Sequence, residues 1–260
     1  AASDVYKRQD YADVLAEAQS LGFAEADPTA DVEGSDAAAK AAILATIAFG
    51  AKVFAGDVYQ EGISQISKDD IAAASHMGHV IKLLAVAESD GNQVAVRVHP
   101  TMVSRNHPLA AVRESFNAVF LEGSEVDDLM LYGRGAGGGP TASAMLGDVI
   151  SAARNLQQGV SSDIGLLSEF PIRPIDETSS AFYMQLDVED RPGVLAVVAS
   201  VFGEHGVSIR SMEQQGHGET AHLVFITHEA LEADVQSTLR ELRNLKEVRH
   251  IGALIRVIAD

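Results

Sequence analysis

The chain contains no cysteine and no tryptophan, and aromatic residues make up only 5% of its 260 residues. Without cysteine, a disulfide framework, thiolate catalysis and a zinc–thiolate site are all excluded. Positive charge is scarce as well, because 19 lysines and arginines face 37 aspartates and glutamates, which gives a net charge of −18. Phosphate binding needs a positive surface, so neither nucleic acid nor an anionic membrane is an expected partner.

Long hydrophobic runs are also lacking. The nearest one, "AAILATIAFGAKVFAG", is bracketed by Lys40 and Lys52 and is too short for a bilayer span. The first nine residues, "AASDVYKRQ", carry charge but not the apolar core of a signal peptide. The apolar content of 47% is that of a globular chain with one or two domains. We therefore expect a cytoplasmic protein without a membrane segment.

The first ten residues fit poorly with the segment after them. A helix-like pattern over residues 11–23 comes directly after "AASDVYKRQ", with no strand before it. The first ten residues are either a frayed terminus or an extraneous leader on a cut chain that lacks a preceding domain.

A buried helix and a half-buried strand are predicted in the first half of the chain. From Asp36 to about Val53 the residues are apolar nearly all round, which is typical of a buried helix. Ser67 predicts the N-terminus of a second helix. Valines alternate over residues 94–98 and predict a half-buried strand that ends at Pro100.

An acidic loop precedes the first of these helices. Asp36 and Lys40 are spaced i, i+4 and so share one helical face, where the simplest interpretation is a surface ion pair. On an apolar helix, however, we expect the pair to be partly buried, where charge is costly unless it is used. Clustered carboxylates also suit a substrate ammonium group, with a lysine placed to exchange a proton with an oxygen. The other acidic residues of the cluster are Glu25, Asp27, Asp31 and Glu33.

Histidines offer a weaker signal. His76 and His79 are spaced i, i+3 on a predicted helix, which could bind a metal, but no third ligand is evident nearby. His99 and His107 each precede a proline, which is typical of turn-forming or packing residues. We therefore expect no metal site.

The stretch "LYGRGAGGGPTASAMLGDVI" contains a literal G-x-G-x-x-G at Gly133, Gly135 and Gly138. A dinucleotide-binding turn needs these glycines within a βαβ unit, with an acidic residue about 20 positions further on. Here the predicted helix runs to Asn155 and is followed by a polar, proline-containing linker. The stretch therefore does not predict an independent cofactor site.

The last third of the chain predicts strands and helices in the order βαββαβ, which is the ferredoxin-like plan. Between its first strand and first helix lies "DRPGV". The exposed N-terminus of that helix can hold a carboxylate, and Asp190 can hold an ammonium group, which together suit an amino acid. A plain turn is the alternative, since Asp-Arg-Pro-Gly is good turn chemistry.

These motifs resemble two known families. The segment from Phe182 to about Ile258, with "DRPGVLAVVASVFGEHGVSI", resembles an ACT domain, the small-molecule-sensing module of amino-acid metabolism. The segment from Tyr11 to Asn155 resembles the substrate and dimerisation part of homoserine dehydrogenase. The stretches that carry this second resemblance are "AEADPTADVEGSDAAAK", "VHPTMVSRNHPLAAV" and "YGRGAGGGPTASAMLGDV".

The resemblance implies an α+β or α/β fold, in which a substrate-dimerisation domain with a mixed sheet precedes a ferredoxin-like ACT domain. The predicted parts are a leader (residues 1–10), the substrate-binding and dimerisation domain (11–132), the glycine loop and helix that return to a nucleotide-binding domain (133–155), a linker (156–178) and the ACT domain (179–260).

The activity that the resemblance implies is the NAD- or NADP-dependent interconversion of L-homoserine and L-aspartate 4-semialdehyde in threonine, methionine and isoleucine biosynthesis. Lys40 would be catalytic with Asp36 as its orienting partner, while Glu25 would hold the substrate ammonium beside Asp31 and Asp27. Cofactor-proximal residues would be Gly133, Gly135, Gly137, Gly138 and Thr141. Effector-binding residues would be Asp190, Pro192, Gly193, Val194 and Leu195. Threonine is the expected effector, and a homo-oligomer, either a dimer or a tetramer, is the expected assembly.

The chain departs from this family in two respects. Phe23 stands where some members have tyrosine. The family also begins with a nucleotide-binding domain that is not found in this sequence, so we expect the chain alone to be inactive. The alternative is a regulatory protein that senses an amino acid and catalyses nothing.

Overall fold

The computed structural model describes residues 27–113, 116–125, 127–160 and 167–258. The helix predicted over residues 11–23 and the candidate residue Glu25 lie outside these ranges. Within them, no helix combines the length and the apolar character that crossing a bilayer would need.

Helices and strands are mixed along the described chain, as predicted. The helices are α1 (Thr29–Val32), α2 (Ser35–Phe49), α3 (Lys68–His76), α4 (Gly138–Gln158), α5 (Val194–Glu204) and α6 (Glu232–Leu242). The strands are β1 (Tyr59–Gln60), β2 (His79–Ser89), β3 (Val94–Ser104), β4 (Phe116–Gly123), β5 (Asp127–Arg134), β6 (Ser179–Glu189), β7 (Ile209–His217), β8 (Thr220–Thr227), β9 (Ala230–Leu231), β10 (Val248–Ile251) and β11 (Ile255–Ile258). Short 3-10 turns cover Ala55–Asp57, Pro108–Ala111 and Ile175–Glu177.

One mixed sheet joins the two halves of the chain. Strand β2 pairs antiparallel along β3, while β1 and β11 both pair parallel with β3 and therefore share its other edge. Strand β11 also pairs antiparallel with β6, which continues the sheet through β8 to β7. The last strand of the chain thus lies between a strand of the first half and a strand of the second.

The second half follows the ferredoxin-like plan. Strands β10 and β11 neighbour β6, then β8 and β7 follow, with α5 and α6 packed on one face around Phe182, Phe202 and Phe225. The last strand of the predicted βαββαβ order is in fact two strands, β10 and β11. It is interrupted after Ile251, where the Gly252 amide donates to the Gln185 carbonyl at 2.9 Å.

Helix α2 differs from its prediction in length and in burial. It ends at Phe49 rather than near Val53, because Gly50 adopts a left-handed conformation with φ of 60°. The buried positions are alanines, which pack closely against β2 and β3, and the larger side chains point outward. The exposed fractions of Ile43, Leu44 and Ile47 are 60%, 45% and 63%. The prediction of a buried helix was therefore wrong.

Strand β3 is longer and more deeply buried than predicted. It runs through Pro100 to Ser104, and every residue in it is buried. The strand continues because β2 flanks it along its whole length and β11 pairs with it beyond Pro100. The cap predicted at Ser67 is confirmed, since its hydroxyl accepts from the Asp70 amide.

Gly34 is required at the start of α2. Its φ is +83°, and a Cβ there would lie 3.0 Å from Val98 Cγ1. We expect Gly34→Ala to lower the free energy of unfolding by more than the about 1–2 kcal/mol that left-handed strain alone costs. Urea denaturation measures this loss.

Gly91→Ala is the matched control, because Gly91 has a φ of +86° and nothing within 4 Å of its would-be Cβ. Equal losses in the two variants would contradict a contribution from the contact with Val98.

Candidate functional site

Asp36 and Lys40 form the predicted ion pair on the first turns of α2. Their side chains are 46% and 64% exposed, so the partial burial expected for them was wrong. The reason is that the inward-facing stripe of α2 consists of alanines and the charged pair lies outside it. The Lys40 ammonium is therefore accessible to a ligand that approaches α2 from outside the sheet.

The acidic residues before the pair lie in and next to α1. Asp27 Oδ1 accepts from the Thr29 hydroxyl at 2.6 Å and from the Thr29 amide at 3.1 Å. These two bonds hold the pKa of Asp27 below its usual range, and the bond from the hydroxyl contributes more than the bond from the amide. Asp31 is half-buried within α1. Asp27 therefore stabilises the start of α1 through its bonds to Thr29, whereas the charged side chains of Asp36 and Lys40 are exposed on α2.

A close backbone contact fixes the turn between α1 and α2. The Ile63 amide donates to the Val32 carbonyl at 2.9 Å. A Cβ on Gly62 would lie 2.7 Å from that carbonyl oxygen and 2.5 Å from Glu33 Oε2. Only glycine allows the segment after β1 to approach the end of α1 so closely.

Behind this segment lies a buried cluster of charges around Arg256 on β11. Arg256 is 2% exposed and donates from Nε to Glu232 Oε2 at 2.9 Å. Two further bonds, at 2.9 and 3.1 Å, reach the carboxylate of Glu61. The Tyr59 hydroxyl donates to Glu61 as well, and burial together with this bond raises the pKa of Tyr59 to about 12. Sequence reasoning missed this cluster, although an arginine inside the apolar run "ALIRVI" is a signal for it.

His99 lies on β3, the strand that pairs with β11 and therefore with the strand of Arg256. Its ring is buried, with Nδ1 at 2.9 Å from the Thr101 hydroxyl oxygen. Burial, with Arg256 as the next cause, lowers the pKa of His99 to about 3. His99 is thus neutral in the fold, in accordance with a packing role.

This burial predicts a pH dependence of stability. Below pH 6.5 the unfolded chain protonates His99 and the folded chain does not, so stability is lost as the pH falls towards 3. Between pH 7 and 5.5 we expect His99 to account for a loss of about 1 kcal/mol. Urea unfolding of the wild type and of His99→Gln at both pH values measures this, and equal losses would contradict it.

The glycine stretch joins the hairpin β4–β5 to helix α4. Gly133 lies in β5, and Gly135 follows the strand. Gly137 directly precedes α4 and has a φ of 112°. Gly138 is the first residue of α4, which also contains Thr141. In the described residues β5 pairs with β4, antiparallel, so the βαβ context of a dinucleotide-binding turn is absent. The glycine stretch therefore does not form a dinucleotide-binding turn within the described residues.

Helix α4 exposes an apolar surface. None of its residues is buried. Its large exposed apolar side chains are Met145, Leu146, Val149, Ile150 and Leu156. A surface of this kind marks a contact with another domain or chain.

The predicted effector residues come together. A cavity of about 340 Å³ is lined by Asp190, Pro192, Gly193, Val194 and Leu195, with Gln214 and parts of β6 and β8 opposite. Gly193 has φ of +92° and starts α5, whose first amides are near the cavity. Arg191 pairs with Glu189 at 2.9 Å and with Glu247 at 3.3 Å.

The histidine pair does not share a helix. His76 is the last residue of α3, whereas His79 is the first of β2 and contacts the Met77 carbonyl through Nδ1 at 2.7 Å. The helical spacing assumed for them was therefore wrong, because the helix ends between the two residues. No group of three or more potential metal ligands occurs in the part of the chain that the structure describes.

The ferredoxin-like half and its cavity define the class of the protein. A family model described as "ACT domain" matches residues 183–247, so the chain carries an ACT domain. A second family model, "Homoserine dehydrogenase", matches residues 3–150, more than half of the chain. The chain belongs to the homoserine dehydrogenase family.

Similar proteins agree with this assignment. A homoserine dehydrogenase of Corynebacterium glutamicum is 51% identical over 96% of this chain and 58% of its own length. One from Bacillus subtilis is 39% identical over 97% of this chain and 60% of its own. The crystal structure of a homoserine dehydrogenase from Thiobacillus denitrificans superposes with a TM-score of 0.91 and 36% identity, covering 98% of this chain and 60% of that one. The chain thus spans about 60% of the length of these relatives.

Proposed function

We propose that this chain is the substrate-binding and regulatory part of an NAD(P)-dependent homoserine dehydrogenase that interconverts L-homoserine and L-aspartate 4-semialdehyde. The observation that carries the proposal is the exposed Asp36–Lys40 pair at the start of α2, in a chain of this family. Such an enzyme acts in threonine, methionine and isoleucine biosynthesis in the cytoplasm.

The roles of the site residues follow from the chemistry of alcohol oxidation. The Lys40 ammonium donates a proton to the aldehyde oxygen during reduction, and its amine accepts the proton from the alcohol in the reverse direction. Asp36, paired with Nζ, orients Lys40. Glu25 holds the substrate ammonium together with Asp31 and Asp27, and Asp27 also stabilises the start of α1.

The cofactor, NAD or NADP, accepts or supplies the hydride. Gly133, Gly135, Gly137, Gly138 and Thr141 border its nicotinamide end, which is supported by their exposed backbone at the start of α4. The exposed apolar side chains of α4 pack against the nucleotide-binding domain that the family resemblance implies. The chain by itself therefore catalyses no turnover.

The effector cavity is proposed to bind L-threonine. Asp190 pairs with the ammonium group, and the N-terminus of α5 after Gly193 holds the carboxylate. The exposed apolar residues of α2 support a homo-oligomer, either a dimer or a tetramer. The second candidate function is a non-catalytic amino-acid sensor. It is favoured because the proposed effector residues line a cavity, whereas the glycine stretch lies outside the βαβ context of a dinucleotide-binding turn.

The catalytic role of Lys40 is tested in a chimera that joins this chain to the nucleotide-binding domain of the Corynebacterium glutamicum relative. We expect Lys40→Ala to lower kcat at least 100-fold, because the proton transfer loses its group. Steady-state oxidation of L-homoserine measures it.

Lys52→Ala is the control, because Lys52 is also exposed and forms an ion pair, with Glu169 at 2.8 Å. Near-normal turnover of the Lys40 variant would contradict the role of Lys40, and inactivity of the unmodified chimera would favour the sensor.

Effector binding is tested by calorimetry with L-threonine on the chain. A Cβ on Gly216 would lie 2.7 Å from Asp190 Oδ2, so Gly216→Ala displaces that carboxylate. We expect at least tenfold weaker binding in this variant. Gly203→Ala is the control, because nothing lies within 4 Å of its would-be Cβ. Absence of heat with the wild-type chain, with its oligomeric state checked, would contradict a threonine site.

A further inference from the structure

Arg256 connects two elements that are remote in sequence. Glu232 is the first residue of α6 in the ACT half, and Glu61 lies in the segment after β1 in the first half. Both carboxylates bind the same guanidinium, through four contacts between 2.9 and 3.1 Å. Arg256 itself is held in place, because β11 pairs with β3 on one side and β6 on the other.

From Glu61, contacts lead to the turn before α2, and the Asp36–Lys40 pair lies on the first turns of that helix. The Glu61 amide donates to the Val98 carbonyl at 2.8 Å, and its own carbonyl oxygen is 3.7 Å from the position of a Cβ on Gly34. The next residue, Gly62, packs against the end of α1. The Ile63 amide, two residues after Glu61, donates to the Val32 carbonyl at the end of α1 at 2.9 Å. Because packed interiors transmit displacements, we expect a displacement of Glu61 to reach the turn between α1 and α2 through this bond.

From Glu232, contacts lead to the effector cavity. Helix α6 carries Glu241 near its C-terminus, and this carboxylate lies 2.7 Å from Nε2 of His205, the residue that follows α5. Both helices share one hydrophobic core, and α5 begins at the cavity after Gly193. The two helices thus connect the cavity wall to Glu232.

We propose that Arg256 is a positioning residue: when α6 moves, Arg256 moves the turn before α2 with it. Arg256 thereby couples the effector cavity to the Asp36–Lys40 pair. The catalytic meaning of this coupling rests on the proposed function, whereas the mechanical link does not. The guanidinium is shared by a buried carboxylate, Glu232, and by Glu61, whose side chain is 31% exposed. Such a group transmits motion well, because its charge-assisted bonds are strong and directional. The alternative is that Arg256 only compensates the buried charge of Glu232.

The absence of cysteine from the sequence allows a direct test of the link. Ala39→Cys places one thiol on an exposed position of α2 next to Lys40, where a trifluoromethyl tag reports on the start of the helix by ¹⁹F NMR. We expect Glu232→Gln, which keeps the shape of the side chain, to shift this signal at least threefold more than Asp234→Asn on the same helix. In the Arg256→Met background the Glu232→Gln shift should be lost.

Circular dichroism and urea unfolding establish that each variant is folded. If Arg256→Met does not fold, Glu61→Gln replaces it, because it breaks the same link on the other side of the guanidinium. No shift in Glu232→Gln, a shift no larger than in the Asp234→Asn control, or a shift that persists without the link would each overturn the proposal.

A second measurement separates this proposal from the proposed function. L-Threonine added to the tagged chain should shift the ¹⁹F signal, and Glu61→Gln should reduce that shift at least fivefold without changing the threonine affinity measured by calorimetry. An undiminished shift in Glu61→Gln would overturn the coupling. If threonine does not bind, the effector assignment fails, and the Glu232→Gln experiment still decides whether Arg256 positions α2.

Discussion

The structure depends on the double pairing of β11, the last strand that it describes. This strand adds to β3 in parallel and to β6 in antiparallel orientation, so that one continuous sheet spans both halves of the chain. The charge of Arg256 enters the interior at this junction, where an isolated cation would be very costly. Glu232 and Glu61 supply its compensation from opposite halves, so strand pairing and charge pairing require the same arrangement.

Positive charge is scarce in this chain, so the pairing of Arg256 with Glu232 and Glu61 uses one of few available cations. With a net charge of −18, carboxylates outnumber the cations that can compensate them. Among the described residues, each buried lysine or arginine has at least one polar partner. Arg97 binds Glu88 at 2.6 Å, and Lys82 Nζ donates to the Val112 carbonyl at 2.6 Å. Burial lowers the pKa of Lys82, with the nearby charge of Arg113 as a second cause. Lys40 differs from Arg97 and Lys82 because it is exposed.

The small side chains on the buried face of α2 determine which of its large side chains are exposed. The four buried alanines of α2 let the helix lie close to the sheet, and this orientation turns Ile43 and Ile47 outward. Helix α4 likewise leaves its apolar side chains uncovered. Both helices therefore present apolar surface, which is typical of interfaces with other domains or chains.

The sequence by itself determined the features that depend on neighbours within a few residues. The cap at Ser67, the Asp36–Lys40 spacing and the βαββαβ order all follow from local periodicity and capping. Only the tertiary structure decided which side of α2 is buried, how far β3 extends beyond Pro100, and which carboxylates surround Arg256. These features depend on partners that are distant along the chain, such as Glu61, which is 195 residues from Arg256. No local pattern specifies such a partner, because burial and pairing are properties of the assembled sheet.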